Sequence, residues 1–298
     1  MLICQACNIE VWSLFQGEVP SLGRDCLTWI EQNYFRAETL SESNAKLVDF
    51  HNQLQLTKCG VGEIASAAGL RFITPVKSVH TGPNPKYFGS GRGVTYYNYT
   101  SDQFTGLHGW VIPGKIRDSL YLLQCVLEQN TNLQPKEIMI DAAAYSDIMF
   151  GHFGLLGYQF SPRLADIRES RLWRFDANSN YSMLNNLSKS LIREKFIHRH
   201  WEDMLRVAGS LKLNKINATH LIQALPYNGK PTMLGRAIGE LGRLFKTRYL
   251  LLYLHNENYR RKILNQLNRG EARHSLARAV FNGKRGKLHQ SYREGQEE

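Results

Sequence analysis

Residues 137–141, Glu137-Ile138-Met139-Ile140-Asp141, decide the fold class. Ile138, Met139 and Ile140 form a short apolar run of the kind that fills a strand buried on both faces, and the run closes on a carboxylate. Just upstream, residues 117–129 place Leu120, Leu123 and Leu127 on one helical face. Before that helix come four strand-like stretches, at 63–67, 70–76, 94–99 and 106–112. The clearest is Val94-Thr95-Tyr96-Tyr97-Asn98-Tyr99, rich in β-branched and aromatic residues. Strands in succession, then a helix, then one more strand describe an α/β domain with a mixed sheet.

Working outward, residues 1–57 read as helical. Leu27, Ile30, Phe35, Leu40, Leu47, Val48 and Phe50 recur near helical spacing, with Ser41 or Ser43 as an N-cap. Beyond Pro162 the pattern is again helical, over 193–207, 219–225, 233–254 and 259–265, with breaks at Asn228-Gly229 and Pro231. No repeat of 20–50 residues is visible.

The 298 residues are 43% hydrophobic and 21% charged, enough for one large or two modest domains with a real core. The longest apolar run, Tyr249-Leu250-Leu251-Leu252-Tyr253-Leu254, is far short of a membrane span. No basic residue precedes Met1-Leu2-Ile3, so the start does not read as a signal peptide, and a soluble, cytoplasmic chain is expected. The net charge of +11 is unevenly placed. Residues 1–188 hold 15 Lys and Arg against 17 Asp and Glu, whereas residues 189–298 hold 22 against 9. A basic excess confined to the last third points to a polyanion, nucleic acid above all, although a solvated helical face has the same composition.

Cysteines at 4, 7, 26, 59 and 125 form no disulfide framework, and Cys4-x-x-Cys7 lacks the second pair that a zinc site needs. His198-Arg199-His200 reads as surface. Gly89-Ser90-Gly91-Arg92-Gly93 precedes a strand and is neither a Walker loop nor a dinucleotide fingerprint, so it reads as a turn. Two carboxylates remain. Asp141 emerges where a buried strand ends, a favoured place for metal-assisted chemistry as well as for a simple turn residue. Glu271 lies in Leu267-Asn268-Arg269-Gly270-Glu271-Ala272-Arg273-His274, where Gly270 can start a helix. An acid between Arg269 and Arg273 suits a phosphodiester site, the acid holding a divalent metal and the guanidiniums holding phosphate oxygens. An ordinary acid at a helix start, stabilised by the macrodipole, fits the same spacing.

Several longer runs carry a family resemblance. They are Asn33-Tyr34-Phe35-Arg36-Ala37-Glu38-Thr39-Leu40, Gly82-Pro83-Asn84-Pro85-Lys86-Tyr87-Phe88-Gly89, and Val94-Thr95-Tyr96-Tyr97-Asn98-Tyr99-Thr100-Ser101-Asp102-Gln103. Further runs are Gly157-Tyr158-Gln159-Phe160-Ser161-Pro162-Arg163-Leu164-Ala165-Asp166, Met204-Leu205-Arg206-Val207-Ala208-Gly209-Ser210-Leu211-Lys212, and residues 267–274. From about residue 32 to the end the chain resembles the catalytic region of Tn-three family transposases. The resemblance implies a ribonuclease H-like mixed sheet with flanking helices, and a mostly helical insertion before the third acid of an Asp, Asp, Glu triad. It divides the chain into a helical lead-in (1–58), a first core part (59–165), the insertion (166–265) and a closing part with the Glu-bearing helix and a basic tail (266–298). It also implies Mg²⁺ held by Asp141 and Glu271, cleavage of double-stranded DNA at transposon ends, and joining of those ends to target DNA. A homodimer or an intact transposase subunit is the expected protein partner. DNA contacts are expected from Arg269, Arg273, Lys284, Arg285 and Lys287.

The first acid is missing. Where the family reads Ser-Ala-Asp-Gly-x-Arg-Phe, this chain has Ser66-Ala67-Ala68-Gly69-Leu70-Arg71-Phe72. A methyl group at Ala68 cannot ligate a metal. Glu63 is an odd number of residues away and falls on the other strand face, and Asp102 lies in a turn. Around the second acid, Asp141-Ala142-Ala143-Ala144-Tyr145 replaces a family pattern with glycine at 144, which strains Ala144 if that position needs a positive φ. The start and end of the chain, within the family's usual length, read as those of a truncated copy. Three roles follow: an impaired DDE transposase domain, an inactive remnant that binds DNA or intact transposase, or a fragment without a role.

Overall fold

A computed structural model describes residues 1–281, except 10, 55–59, 76, 80, 115–118, 142–144, 167–169 and 228. The chain opens with α1 (Leu2–Cys7), two 3-10 turns, α2 (Arg24–Tyr34) and α3 (Ala37–Gln53). Arg36 is the N-cap of α3, so Ser41 and Ser43 lie inside the helix and cap nothing. Next come β1 (Ile64–Thr74), β2 (Gly82–Pro83), the single-turn α4 (Pro85–Phe88), β3 (Arg92–Ser101) and β4 (Gly106–Pro113). The two strands expected at 63–67 and 70–76 are one, because Gly69 stays in the ladder opposite Tyr97.

A parallel half follows: α5 (Ser119–Leu127), β5 (Glu137–Ile140), α6 (Asp147–Leu156) and β6 (Gln159–Pro162). The sheet runs β2-β3-β1-β5-β6, with β4 on β3. β1 is antiparallel to β3, while β1, β5 and β6 are mutually parallel. All four residues of β5 are buried, as expected of a central parallel strand covered on both faces.

From residue 173 the chain carries β7 (Trp173–Arg174), β8 (Ser190–Leu191), α7 (Glu194–Arg199), α8 (Trp201–Lys212) and α9 (Ala218–Ala224). A small hairpin, β9 (Pro226–Tyr227) and β10 (Lys230–Pro231), leads to α10 (Met233–His255) and α11 (Glu257–Val280). The single helix expected at 193–207 breaks at His200 into α7 and α8. Gly270 starts no helix, since α11 passes through it without interruption and through the 265/266 boundary as well.

α6 and α10 cross almost backbone to backbone. A Cβ at Gly151 would lie 2.2 Å from the Ile238 carbonyl oxygen, and one at Gly242 would lie 1.7 Å from that of Asp147. The crossing is pinned by Arg243 and Lys246, 3.2 and 2.9 Å from the Asp147 carboxylate. Phe153 stacks on Phe160 at 4.7 Å, joining α6 to β6. One hydrophobic core draws on β1, β3, β5, α5, α6, α8, α9 and α11 together with Val48 of α3.

His152 of α6 is 1% exposed, and neither ring nitrogen has a partner among the described residues. Burial pushes its pKa down from 6.5 to about 4. The unfolded chain therefore takes up this proton near pH 6.5, and the native state only near pH 4. Stability should fall by about 3 kcal/mol as pH drops through that window. Urea unfolding of the parent and His152→Leu across the window tests this: the fall in stability should be smaller by about 3 kcal/mol in the variant, and parallel curves would contradict the assignment.

Candidate active site

The site is built where α11 crosses the parallel strands. Rows of a parallel sheet put neighbouring side chains on one face. One such row is Ser66, Met139 and Ser161, on β1, β5 and β6. Gln266 Nε2 donates to Ser66 Oγ at 3.1 Å, and Tyr259 Oη lies 2.6 Å from Ser161 Oγ, so this face looks onto α11. The last paired row is Ala67, Ile140 and Pro162, and the Arg163 N–H still donates to the Ile140 carbonyl at 2.8 Å. One residue further on lie Ala68, in the middle of β1, and Asp141 and Arg163, which directly follow β5 and β6. With a side-chain period of two, they share the α11 face with Ser66 and Ser161.

α11 has two flanks. Lys262 reaches Glu137 Oε2 at 2.9 Å, and Arg269 donates to the Asp102 carbonyl at 3.0 Å. Both contacts lie toward the amino ends of β5 and β1. Glu271 is two residues from Arg269 and two from Arg273, about 200° around the helix from each. It therefore sits on the flank opposite Arg269 and Arg273. Gly270 brings the helix close to the strand, since a Cβ there would stand 3.8 Å from Ser66 Oγ. Glu271 is exposed, and its charge acts on His274, whose pKa is lowered first by burial and raised in part by Glu271.

Asp141 is 72% exposed and lies 3.7 Å from Arg163 Nε. The two arginines beside Glu271 in sequence turn away from it. Arg269 lies over the Phe104 ring as well as on the Asp102 carbonyl, and Arg273 donates to Thr100 Oγ1 at 3.3 Å, packed under Gly106. Lys284, Arg285 and Lys287 lie outside the described residues, as do Cys59 and Ala144. Neither spare acid can stand in at position 68. Glu63 precedes β1 and pairs with Lys136 at 2.6 Å. Asp102 is buried in the β3–β4 turn, where Oδ1 accepts from the Gly62 N–H at 2.9 Å. Burial raises the Asp102 pKa, with the Gly62 hydrogen bond and Arg269 opposing.

Sequence reasoning missed the cluster that seats α11. Glu137 Oε1 accepts from Ser161 Oγ at 2.7 Å, Tyr259 Oη at 2.6 Å and Gln159 Nε2 at 3.2 Å. These partners are polar residues scattered over more than a hundred positions, with no shared spacing to betray them. His198 is the expected surface residue, 3.4 Å from Glu194 on the same helix, whereas His200, also expected at the surface, is only 18% exposed and lies 3.9 Å from Asp203.

A mixed α/β sheet with flanking helices is consistent with a DDE, ribonuclease H-like domain. The comparisons agree. The family profile described as the Tn3 transposase DDE domain matches residues 1–298, and the chain belongs to that family. It is similar to the transposase of transposon gamma-delta from Escherichia coli strain K12, 52% identical over the whole chain and 30% of that relative. It is also similar to the transposase of Tn4556 from Streptomyces fradiae, at 39% over the whole chain and 33% of the relative. The Tn1546 transposase of Enterococcus faecium is 37% identical over 90% of the chain and 27% of its own length. The chain thus spans about a third of the curated relatives it matches.

The family generally works with a divalent metal. The donors here fit that role poorly. Among the described residues no three His, Cys, Asp or Glu side chains gather into a group able to hold an ion. The same holds for Cys4 and Cys7 on α1. No helix among the described residues is long and apolar enough to cross a membrane.

Proposed function

We propose that this chain serves DNA transposition as a DDE-type domain whose metal-dependent end cleavage and strand transfer are impaired at position 68. Asp141 and Glu271 take the second and third acidic positions. The observation that supports the reading is the register that pairs Ala67 with Ile140, one residue before Ala68 and Asp141, with Ser66 on the face covered by the helix of Glu271. The expected ion is Mg²⁺, the expected substrate double-stranded DNA at transposon ends and targets, and the expected site of work the bacterial cytoplasm. No reaction step is assigned to the metal, because the first carboxylate that would share it is a methyl group.

The incomplete donor set favours a form of this reading in which the chain binds DNA, or an intact transposase subunit, without cutting. DNA contacts are assigned to the basic tail residues Lys284, Arg285 and Lys287 and to Arg269 and Arg273. The last two also hold the β3–β4 edge and would act from there. The test is an incubation of the chain with a transposon-end duplex and Mg²⁺. Expected is binding that weakens steeply with salt, with no nicking above background. Mg²⁺-dependent nicking that disappears in Asp141→Ala would overturn the impairment.

A further inference from the structure

Arg163 belongs to none of the roles above, yet it completes the row of Ala68 and Asp141. Its Cα is fixed by the sheet, through the N–H bond to the Ile140 carbonyl at 2.8 Å. Its side chain is 48% exposed, and Nε stands 3.7 Å from Asp141 Oδ1, longer than a good charge-assisted hydrogen bond. Other cations nearby are more tightly engaged. Arg243 and Lys246 hold Asp147 at 3.2 and 2.9 Å, Lys262 holds Glu137 at 2.9 Å, and Arg269 and Arg273 face the other flank of α11.

We propose that Arg163 is a DNA-contacting residue, its guanidinium taking the phosphodiester presented to Asp141. The inference rests on the DNA reading above and adds a ligand group at a stated place. A planar fork of N–H donors suits two phosphate oxygens at once, and a solvent-facing position at a strand end is open to a backbone passing over the sheet. The weak contact with Asp141 keeps the fork turned toward the carboxylate until phosphate replaces it. Asp141 and Arg163 then form a paired unit: the acid faces the reacting end and the base holds the phosphate oxygens.

The test is fluorescence-anisotropy binding of a labelled transposon-end duplex, without divalent metal, from about 50 to 200 mM salt. The chains compared are the parent, Arg163→Gln, Arg163→Lys and Arg261→Gln, the last an exposed arginine paired with Glu257 on the same helix. In Arg163→Gln the slope of log affinity against log salt should shrink by about one, with affinity several-fold weaker at the lowest salt. Arg163→Lys should keep the slope and lose part of the affinity, since a point charge replaces the fork. Arg261→Gln should match the parent. Circular dichroism and melting curves like the parent's establish that each variant is folded. A folded Arg163→Gln with the parent's slope and affinity overturns the inference while leaving the DNA reading intact. A parent chain with no salt-dependent binding removes both.

Discussion

Ala68→Asp should raise Mg²⁺-dependent nicking of a transposon-end duplex by more than about 100-fold, when placed in a full-length relative's context that supplies end recognition. Losing a mere outer partner of a metal ligand costs roughly 10–100-fold, so returning a ligand shared by the site should gain more. Ala68 follows Ala67, the register partner of Ile140, and neither Glu63 nor Asp102 competes for the place. The gain should vanish in Ala68→Asp combined with Asp141→Ala or with Glu271→Ala. A product assay on labelled DNA reads all of these. No gain from a folded Ala68→Asp chain would show that something other than this ligand limits the activity.

The second large effect concerns the frame that carries β5 and β6. Gly242→Ala should destabilise the chain by about 3 kcal/mol or more, because overpacking here meets backbone and not a flexible side chain. The new methyl would need the space of the Asp147 carbonyl oxygen, 1.7 Å away, and of the Gly151 nitrogen, 2.8 Å away. Gly239→Ala, one turn earlier on α10, has nothing within 4 Å of its new Cβ. It should stabilise the helix by up to about 1 kcal/mol, the ordinary difference between glycine and alanine in a helix interior. Urea midpoints of the two variants should therefore move in opposite directions from the parent. Equal shifts would mean that α6 and α10 do not touch through Gly242.

The same glycines explain where the sequence was readable. β5 was legible because a fully buried parallel strand shows itself as an apolar run with a polar end, and Asp141 could be placed from that alone. α6 and β6 went unread. Gly151 and Gly154 lower the helical signal of α6, although each is there to let α10 approach. Gly69 and Gly270 looked like breaks for the same reason, but one stays in a strand ladder and the other is a contact point in the middle of α11. The pairing of acids across the domain was visible only through the family resemblance, since nothing local links residues 68, 141 and 271. The strand register pairs residue 67 with residue 140, and the step from there to 68, 141 and 271 belongs to the proposed function. Arg269 and Arg273, neighbours of Glu271 in sequence, are carried by the helical turn to hydrogen bonds on the opposite flank of α11.

The most direct test of the account is a Mn²⁺ titration followed by electron paramagnetic resonance on the parent and on Ala68→Asp. The account predicts weak binding by the parent and affinity at least about ten-fold higher for Ala68→Asp, with the gain lost when Asp141 or Glu271 is also replaced by alanine. Equal Mn²⁺ affinity in parent and variant, or a gain that survives loss of Asp141, would contradict it.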